Sequence, residues 1–402
     1  MIEIPLKHWE LDRELSLMMD IVLRRRPAVP EGMDWERFDG AVRQHRLQPL
    51  LIRGLRAMDA DVVEGIPALK KYRSQQNKYT NESICRLQAL VEAGAALADA
   101  GIRMISMKGP LLAMELYGDP SLRTSRDLDV MVAQEDMERA GEILLELGYE
   151  PEINFFHKTP LRRRYYSLIE PEKHAVYNRG DICLELHWKG NFQTEESFDG
   201  LWERREEKMV FGTKIAVMGT VDRYPALIIH AAEHGFHRLR WLLDLYEVQK
   251  KPTFRWEEAY GSLSDRGLGA LLIETMLVMY RLRLPGLEDV AFGGVSLTQR
   301  EDGICLTVRE ELAQEGELAK KLSDAVYPLW QSETSWGDQR QRVHDKLLPT
   351  SLIQKNLLQK FLINFGPSVY ELELIDLPDW MFWMYFIIRP FHWLRRKLVR
   401  NA

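Results

Sequence analysis

Apolar residues recur at helical spacing over residues 8–26 and 35–58, and again from Ile66 to Ala100, where no proline interrupts the pattern after Pro67. The N-terminal quarter therefore predicts helices throughout. From Ile102 the period changes: Ile102 to Met107 reads as a buried strand, Gly109 opens a helix to about Tyr117, and Asp127 to Ala133 reads as a second strand. A further helix is expected over Glu135 to Leu147. The runs His174 to Tyr177 and Asp181 to Trp188 alternate on either side of Asn178-Arg179-Gly180 and predict an antiparallel hairpin. After Val221 helical spacing returns, at 222–249, 256–263, 267–282, 305–325 and 351–363, with breaks at Pro252, at Pro285-Gly286 and at Gly293-Gly294. The expected fold class is α+β. A small mixed-sheet domain over residues 101–220 is flanked by an N-terminal helical region, 1–100, and a C-terminal helical region, 221–402, that ends in an aromatic and basic tail.

Within the predicted sheet the second strand carries two aspartates one residue apart. Successive side chains on a strand face opposite ways, so Asp127 and Asp129 share one face and Leu128, Val130 and Val132 the other. Two carboxylates this close repel, and a divalent cation with oxygen preference compensates them. Two-metal phosphoryl transfer needs a third carboxylate converging on the same point. In Asp181 to Trp188, Asp181, Cys183, Glu185 and His187 alternate with apolar positions, and Glu185 is the candidate. Asp181 adjoins the turn and is expected to be solvated there.

Lys108-Gly109-Pro110 ends one strand and begins a helix, where free backbone N–H groups favour anions. Gly109 permits close approach of a phosphate, Pro110 suits the first helical position, and Lys108 and Arg123 add positive charge for a triphosphate tail. Each piece alone has a plainer reading: a solvated acidic strand face, a turn, a surface arginine. Their order along one short segment is what gives them weight.

Composition narrows the setting. Over 402 residues, 46% are apolar and 28% charged, as in ordinary globular proteins, and the net charge of −6 does not favour a nucleic-acid partner. Three widely separated cysteines argue against a disulfide framework and fit a reducing, cytoplasmic compartment. The N-terminus carries charges throughout and lacks the apolar core of a signal peptide.

The motifs together resemble the poorly characterised bacterial nucleotidyltransferases of the polymerase-beta-like superfamily. The likeness lies in Met107-Lys108-Gly109, Leu116-Tyr117, Arg123, Asp127-Leu128-Asp129, Glu185-Leu186-His187-Trp188, and the later His230-Ala-Ala-Glu-His-Gly and Arg240-Trp241-Leu-Leu-Asp244 stretches, over roughly residues 40–250. The resemblance implies Asp127, Asp129 and Glu185 as catalytic ligands of two Mg²⁺ ions, with Lys108, Gly109 and Arg123 on the triphosphate. It also implies transfer of a nucleoside monophosphate from an NTP to a hydroxyl of a small molecule, saccharide, peptide or protein, with release of pyrophosphate. One departure stands out: Pro110 occupies the place of the superfamily's serine. It motivates an alternative, a nucleotide- or partner-binding module of the same fold without turnover.

Two segments lie outside that scheme. His230-x-x-Glu233-His234 matches the pattern of inverted zinc peptidases, but no downstream third ligand is evident; the helix is expected to pack, or secondarily to line the cleft opposite the sheet. Residues 378–400 combine an apolar, aromatic run too short to span a bilayer with Arg395-Arg396-Lys397. They are expected to pack internally, to meet a dimer partner, or to rest peripherally on the inner face of a membrane.

Overall fold

The computed structural model describes residues 1–58, 63, 66, 67, 69–152, 161, 165, 174–188, 197–287, 289–300, 303–331, 362, 365–367, 372, 375 and 377–391. Apart from residue 362, the expected helix over 351–363 lies outside these residues, as does the basic cluster at 395–397.

A seven-stranded mixed sheet carries the α+β core. Its strands are β2 (Met104–Ser106), β3 (Asp127–Val132), β4 (Glu150–Pro151), β5 (His174–Arg179), β6 (Ile182–His187), β7 (Glu206–Val210) and β8 (Thr213–Val217), in the order β4-β5-β6-β3-β2-β8-β7. β3 runs parallel to β6 and β2 parallel to β8, and the remaining neighbours are antiparallel. The apolar face, with Leu128, Val130, Leu184 and Leu186, packs on the C-terminal half of the 31-residue helix α4 (Leu69–Asp99) and on α6 (Met137–Glu146). Between β2 and β3 stands the short helix α5 (Pro110–Tyr117).

The N-terminal quarter is not wholly helical. Before α1 (Arg13–Val22), α2 (Trp35–Gln44) and α3 (Gln48–Leu55), residues Ile2–Leu6 form strand β1. It pairs with β11 (Gly303–Val308) in a second, antiparallel sheet of order β1-β11-β10-β9, where β9 is Asp289–Phe292 and β10 is Val295–Arg300. The expected helix over 305–325 is corrected accordingly: its first residues complete β11, and helix α12 runs over Ala313–Gln331. Ile304, Leu306 and Val308 alternate into the core, a period of two hidden by apolar neighbours. The long helix expected over 222–249 is also two: α8 (Thr220–Glu233) and α9 (Leu239–Gln249), divided where Gly235 and Phe236 take φ of 61° and 49°. Between the hairpin and α8 lies α7 (Phe198–Glu203). Helices α10 (Trp256–Ser264) and α11 (Gly269–Arg281) follow, and one hydrophobic core joins β1 and α1–α3 to α8–α12.

Glu274 sits in α11 at 2% exposure, and burial pushes its carboxyl up to about 8. The native state thus keeps a proton that the unfolded chain releases near pH 4.3, at about the free glutamate value. Stability falls as pH rises through that window, by up to about 1.4 kcal/mol per pH unit at this group. Glu274→Gln is expected to remove this slope and to be the more stable protein at pH 8; denaturant midpoints of both proteins at pH 5 and 8 check it.

Of the C-terminal tail, residues 384–391 are helical. Tyr385 is buried, donates from its hydroxyl to the Ile375 carbonyl at 2.5 Å and meets Phe382, while Trp380, Trp383, Ile387 and Phe391 are exposed. No helix among the described residues is long and apolar enough to cross a membrane.

Candidate active site

The parallel pairing of β3 with β6 sets the site. Its register places Asp127 beside Cys183 and Asp129 beside Glu185. All four side chains therefore leave the same face of the sheet, opposite the apolar face packed on α4 and α6. Asp129 is 5% exposed, whereas Asp127 is half-buried at the strand's start and its Oδ1 accepts from Ser125 Oγ at 3.2 Å. Burial pushes the Cys183 thiol up to about 11, with Glu185 and Asp127 adding to the effect, so it stays a neutral neighbour of the carboxylates.

The Met107 N–H donates to the Asp129 carbonyl at 2.9 Å, which brings the end of β2 alongside the acidic strand. Lys108 follows directly, and its Nζ lies 3.5 Å from Asp129 Oδ1 and 3.4 Å from His230 Nδ1 on α8. Burial pushes the Asp129 carboxyl up, but the Lys108 ammonium and His187 outweigh it and hold the group well below the usual carboxylate range. Burial and the same ammonium push the His230 imidazole well below its ordinary value, so it faces Lys108 as a neutral acceptor. The same ring packs against His234 and Trp241, so His230 both packs and stands beside Lys108.

Gly109 caps α5 with φ 82° and ψ −156°, a backbone conformation essentially confined to glycine. A Cβ there would stand 3.5 Å from the Asp127 carbonyl oxygen. The helix N-terminus, with Pro110 at its first position, thus opens immediately beside the first aspartate.

Two histidines share this face: His187, which the alternation places beside Glu185 without a role, and His174, which the sequence did not bring there. His187 Nε2 is 3.5 Å from Asp129 Oδ1 and 3.4 Å from Glu185 Oε2, and His174 Nε2 on β5 is 3.9 Å from Glu185 Oε2. His187 is 2% exposed; its Nδ1 has no hydrogen-bond partner, and its Nε2 faces the two carboxylates. Burial lowers its pKa, but the carboxylates of Asp129 and Glu185 raise it further, for a net rise. Carboxylate oxygens with a buried imidazole nitrogen among them form a donor set that suits a divalent cation.

Arg123 stands apart from this cluster. It is 3% exposed and donates from Nε to Asp244 Oδ2 on α9 at 2.8 Å, while Tyr117 Oη donates to Asp244 Oδ1 at 2.8 Å. Four residues before Asp244, Arg240 donates to the carbonyl of Thr124, the residue after Arg123. These bonds fix the segment leading into β3 against α9. The Leu239 N–H donates to His45 Nδ1 at 3.3 Å, so the α2–α3 turn meets the same place. Arg46, Arg126 and Arg238 gather there: burial lowers the pKa of Arg46 and Arg238, Arg126 lowers both further, and Asp127 partly restores that of Arg46. Three segments distant in sequence contribute to this cationic rim, which is why no local motif announces it.

The sequence model of a family described as uncharacterised nucleotidyltransferases matches residues 31–282. Among solved structures, the antibiotic-resistance factor ANT(2'')-Ia is similar at 12% identity and a TM-score of 0.31, covering 50% of this chain and 96% of that one. An antigenic nucleotidyltransferase-like protein from Paracoccidioides brasiliensis is similar at 16% identity and a TM-score of 0.31, covering 47% of this chain and 93% of that one. No curated protein matches the sequence.

Proposed function

The chain belongs to this family of uncharacterised nucleotidyltransferases, and from that premise we propose that it transfers a nucleoside monophosphate from an NTP to a hydroxyl acceptor, in a Mg²⁺-dependent reaction that releases pyrophosphate. The observation that carries the proposal is the β3–β6 register, which sets Asp129 beside Glu185 with Asp127 on the same face. Asp127, Asp129 and Glu185 would hold the divalent cations. When bound, such ions neutralise charge developing on the α-phosphate and lower the pKa of the attacking hydroxyl.

The chain's own residues supply position and charge. Lys108 and the α5 N-terminus at Gly109 would take the β- and γ-phosphates, the leaving group of an in-line displacement. To reach them, the Lys108 ammonium would turn from Asp129 towards the phosphate, with neutral His230 accepting from it throughout. Arg46 and Arg126 add cationic charge at the rim. Arg123, bonded to Asp244, would act by holding the approach to Asp127 in place and lending its charge from behind.

Arg46 provides a variant that separates binding from folding. It adopts φ 54° at the end of α2, a conformation that disfavours a side chain. Arg46→Gly is therefore expected to leave stability unchanged or raise it by up to about 1 kcal/mol. Loss of one charge-assisted contact should weaken NTP affinity by about tenfold or more. Thermal melts and calorimetry of the same preparations check both halves.

Titrating the four ribonucleoside triphosphates with Mg²⁺ into wild type and into Asp127→Asn/Asp129→Asn tests the site. Metal-dependent binding of one nucleotide, lost in the folded variant, is expected; binding indifferent to both metal and variant overturns the proposal. Pro110 favours one second reading, a binding module without turnover. Tight NTP binding with no pyrophosphate release across a broad acceptor panel would select it. Labelled partner bands in a lysate would instead identify a protein hydroxyl as the acceptor.

A further inference from the structure

The carboxylate face continues past Glu185 into a patch of different chemistry. β5 pairs with β6 so that His174 lies opposite His187 and Val176 opposite Glu185, which puts both imidazoles on the carboxylate side of the sheet. Their rings are 4.9 Å apart and tilted by 35°. One nitrogen from each ring and one Glu185 oxygen lie within 4.8 Å of one another. The distances to Glu185 Oε2 are 3.4 Å from His187 Nε2 and 3.9 Å from His174 Nε2. Donors bound at about 2.1 Å in a tetrahedral site stand roughly 3.4 Å apart, so modest side-chain rotation brings all three onto one ion.

His187 explains why the patch is more than a coincidence of exposed groups. Its Nε2 is buried and lies between the carboxylates, 3.5 Å from Asp129 Oδ1 and 3.4 Å from Glu185 Oε2, and its Nδ1 has no partner. A buried imidazole nitrogen facing two carboxylates is satisfied either by a proton shared with them or by a cation in that proton's place. Neither histidine has a part in the proposed phosphoryl chemistry, which needs only oxygen ligands.

We propose that His174, Glu185 and His187 bind a first-row transition-metal dication, with Glu185 shared between that ion and the one held by Asp127 and Asp129. Two imidazoles and one carboxylate match manganese, cobalt or zinc, whereas Mg²⁺ prefers oxygen and retains its waters. The proposal rests on the nucleotidyl-transfer reading only in assigning Glu185 to both ions. Under it the acceptor side of the centre is selective for a softer metal than the nucleotide side.

Pulsed electron paramagnetic resonance of the full chain, stripped with chelator and loaded with one equivalent of Mn²⁺ under excess Mg²⁺, reads the ligands directly. Coupling to imidazole nitrogen is expected in wild type and in Asp127→Asn, and its loss is expected in His187→Gln and in His174→Gln. Because His187 is buried, His174→Gln, at a half-buried strand position, serves as the variant least able to disturb the fold. Zn²⁺ affinity by competition with a chelating dye should fall about 100-fold or more in either variant. A Mn²⁺ spectrum without nitrogen coupling, or coupling that survives both histidine variants, overturns the proposal. Nucleotidyl transfer persisting without nitrogen coupling would overturn the metal assignment alone. Nitrogen coupling in a protein that transfers nothing would support this site and remove only the catalytic reading.

Discussion

Asp129→Asn is expected to lower nucleotidyl transfer by at least about three orders of magnitude while leaving a folded protein. Asp129 is the most buried of the three carboxylates and lies beside Glu185 by strand register. Asparagine keeps the shape and removes the charge. A metal ligand's share of transition-state stabilisation is several kcal/mol, and each 1.4 kcal/mol is about tenfold in rate. The same change should abolish the rise in melting temperature that NTP and Mg²⁺ produce together, because stabilisation by a ligand disappears with its affinity. Asp129 also has a structural side, since Lys108 and His187 flank its Oδ1 at 3.5 Å. Circular dichroism and a melt of the variant separate the two contributions, and transfer at the wild-type rate in Asp129→Asn would remove this residue from the chemistry.

The second large effect is on stability. Asp244 and Arg123 form an ion pair at 2.8 Å with side-chain exposures of 1% and 4%, and Tyr117 donates to the other carboxylate oxygen. Burial alone would lower the Arg123 pKa, yet Asp244 raises it, and the guanidinium remains charged. Asp244→Ala leaves that charge buried without its partner, which costs about 3–5 kcal/mol. The loss is expected as a lower urea midpoint with an unchanged slope. Replacing both partners, as Arg123→Met/Asp244→Leu, should recover much of the stability, since an apolar pair of similar volume avoids the desolvation cost. Activity should not return with it, because Arg123 and Arg240 also fix residues 123–124 immediately before the acidic strand. A double variant no more stable than Asp244→Ala would contradict this account of the pair.

What could be read from the sequence was local. The alternation in β3, the unbroken helical period of α4 and the glycine at the head of α5 all follow from spacing within a few residues, and the structure places them there. The hairpin was legible as a pair of strands but not in register. A turn over 178–180 would set His174 opposite Leu184; the observed pairing of Arg179 with Ile182 sets it opposite His187. An odd shift of register reverses the face, so the two-histidine patch beside Glu185 was invisible until the turn was known. β1 escaped notice for a different reason: its partner β11 lies about 300 residues away in the chain, and five residues carry no period strong enough to stand alone. The arginines at 46, 126 and 238 come from three separate segments and share no motif. Arg123 shows the limit from the other side: its place before the aspartates suggested a phosphate contact, while its nearest acid, Asp244, lies 121 residues on.

The most direct test of the central claim is to follow both ends of the nucleotide. The protein, Mg²⁺ and a panel of polyol, saccharide and protein hydroxyl acceptors are incubated with NTP labelled either at the α-phosphate or at the γ-phosphate. Nucleotidyl transfer predicts that the α-label passes to the acceptor, that the γ-label leaves as pyrophosphate in equal amount, and that Asp129→Asn stops both. Transfer of the γ-label, release of orthophosphate in place of pyrophosphate, or label transfer undiminished in Asp129→Asn would contradict it.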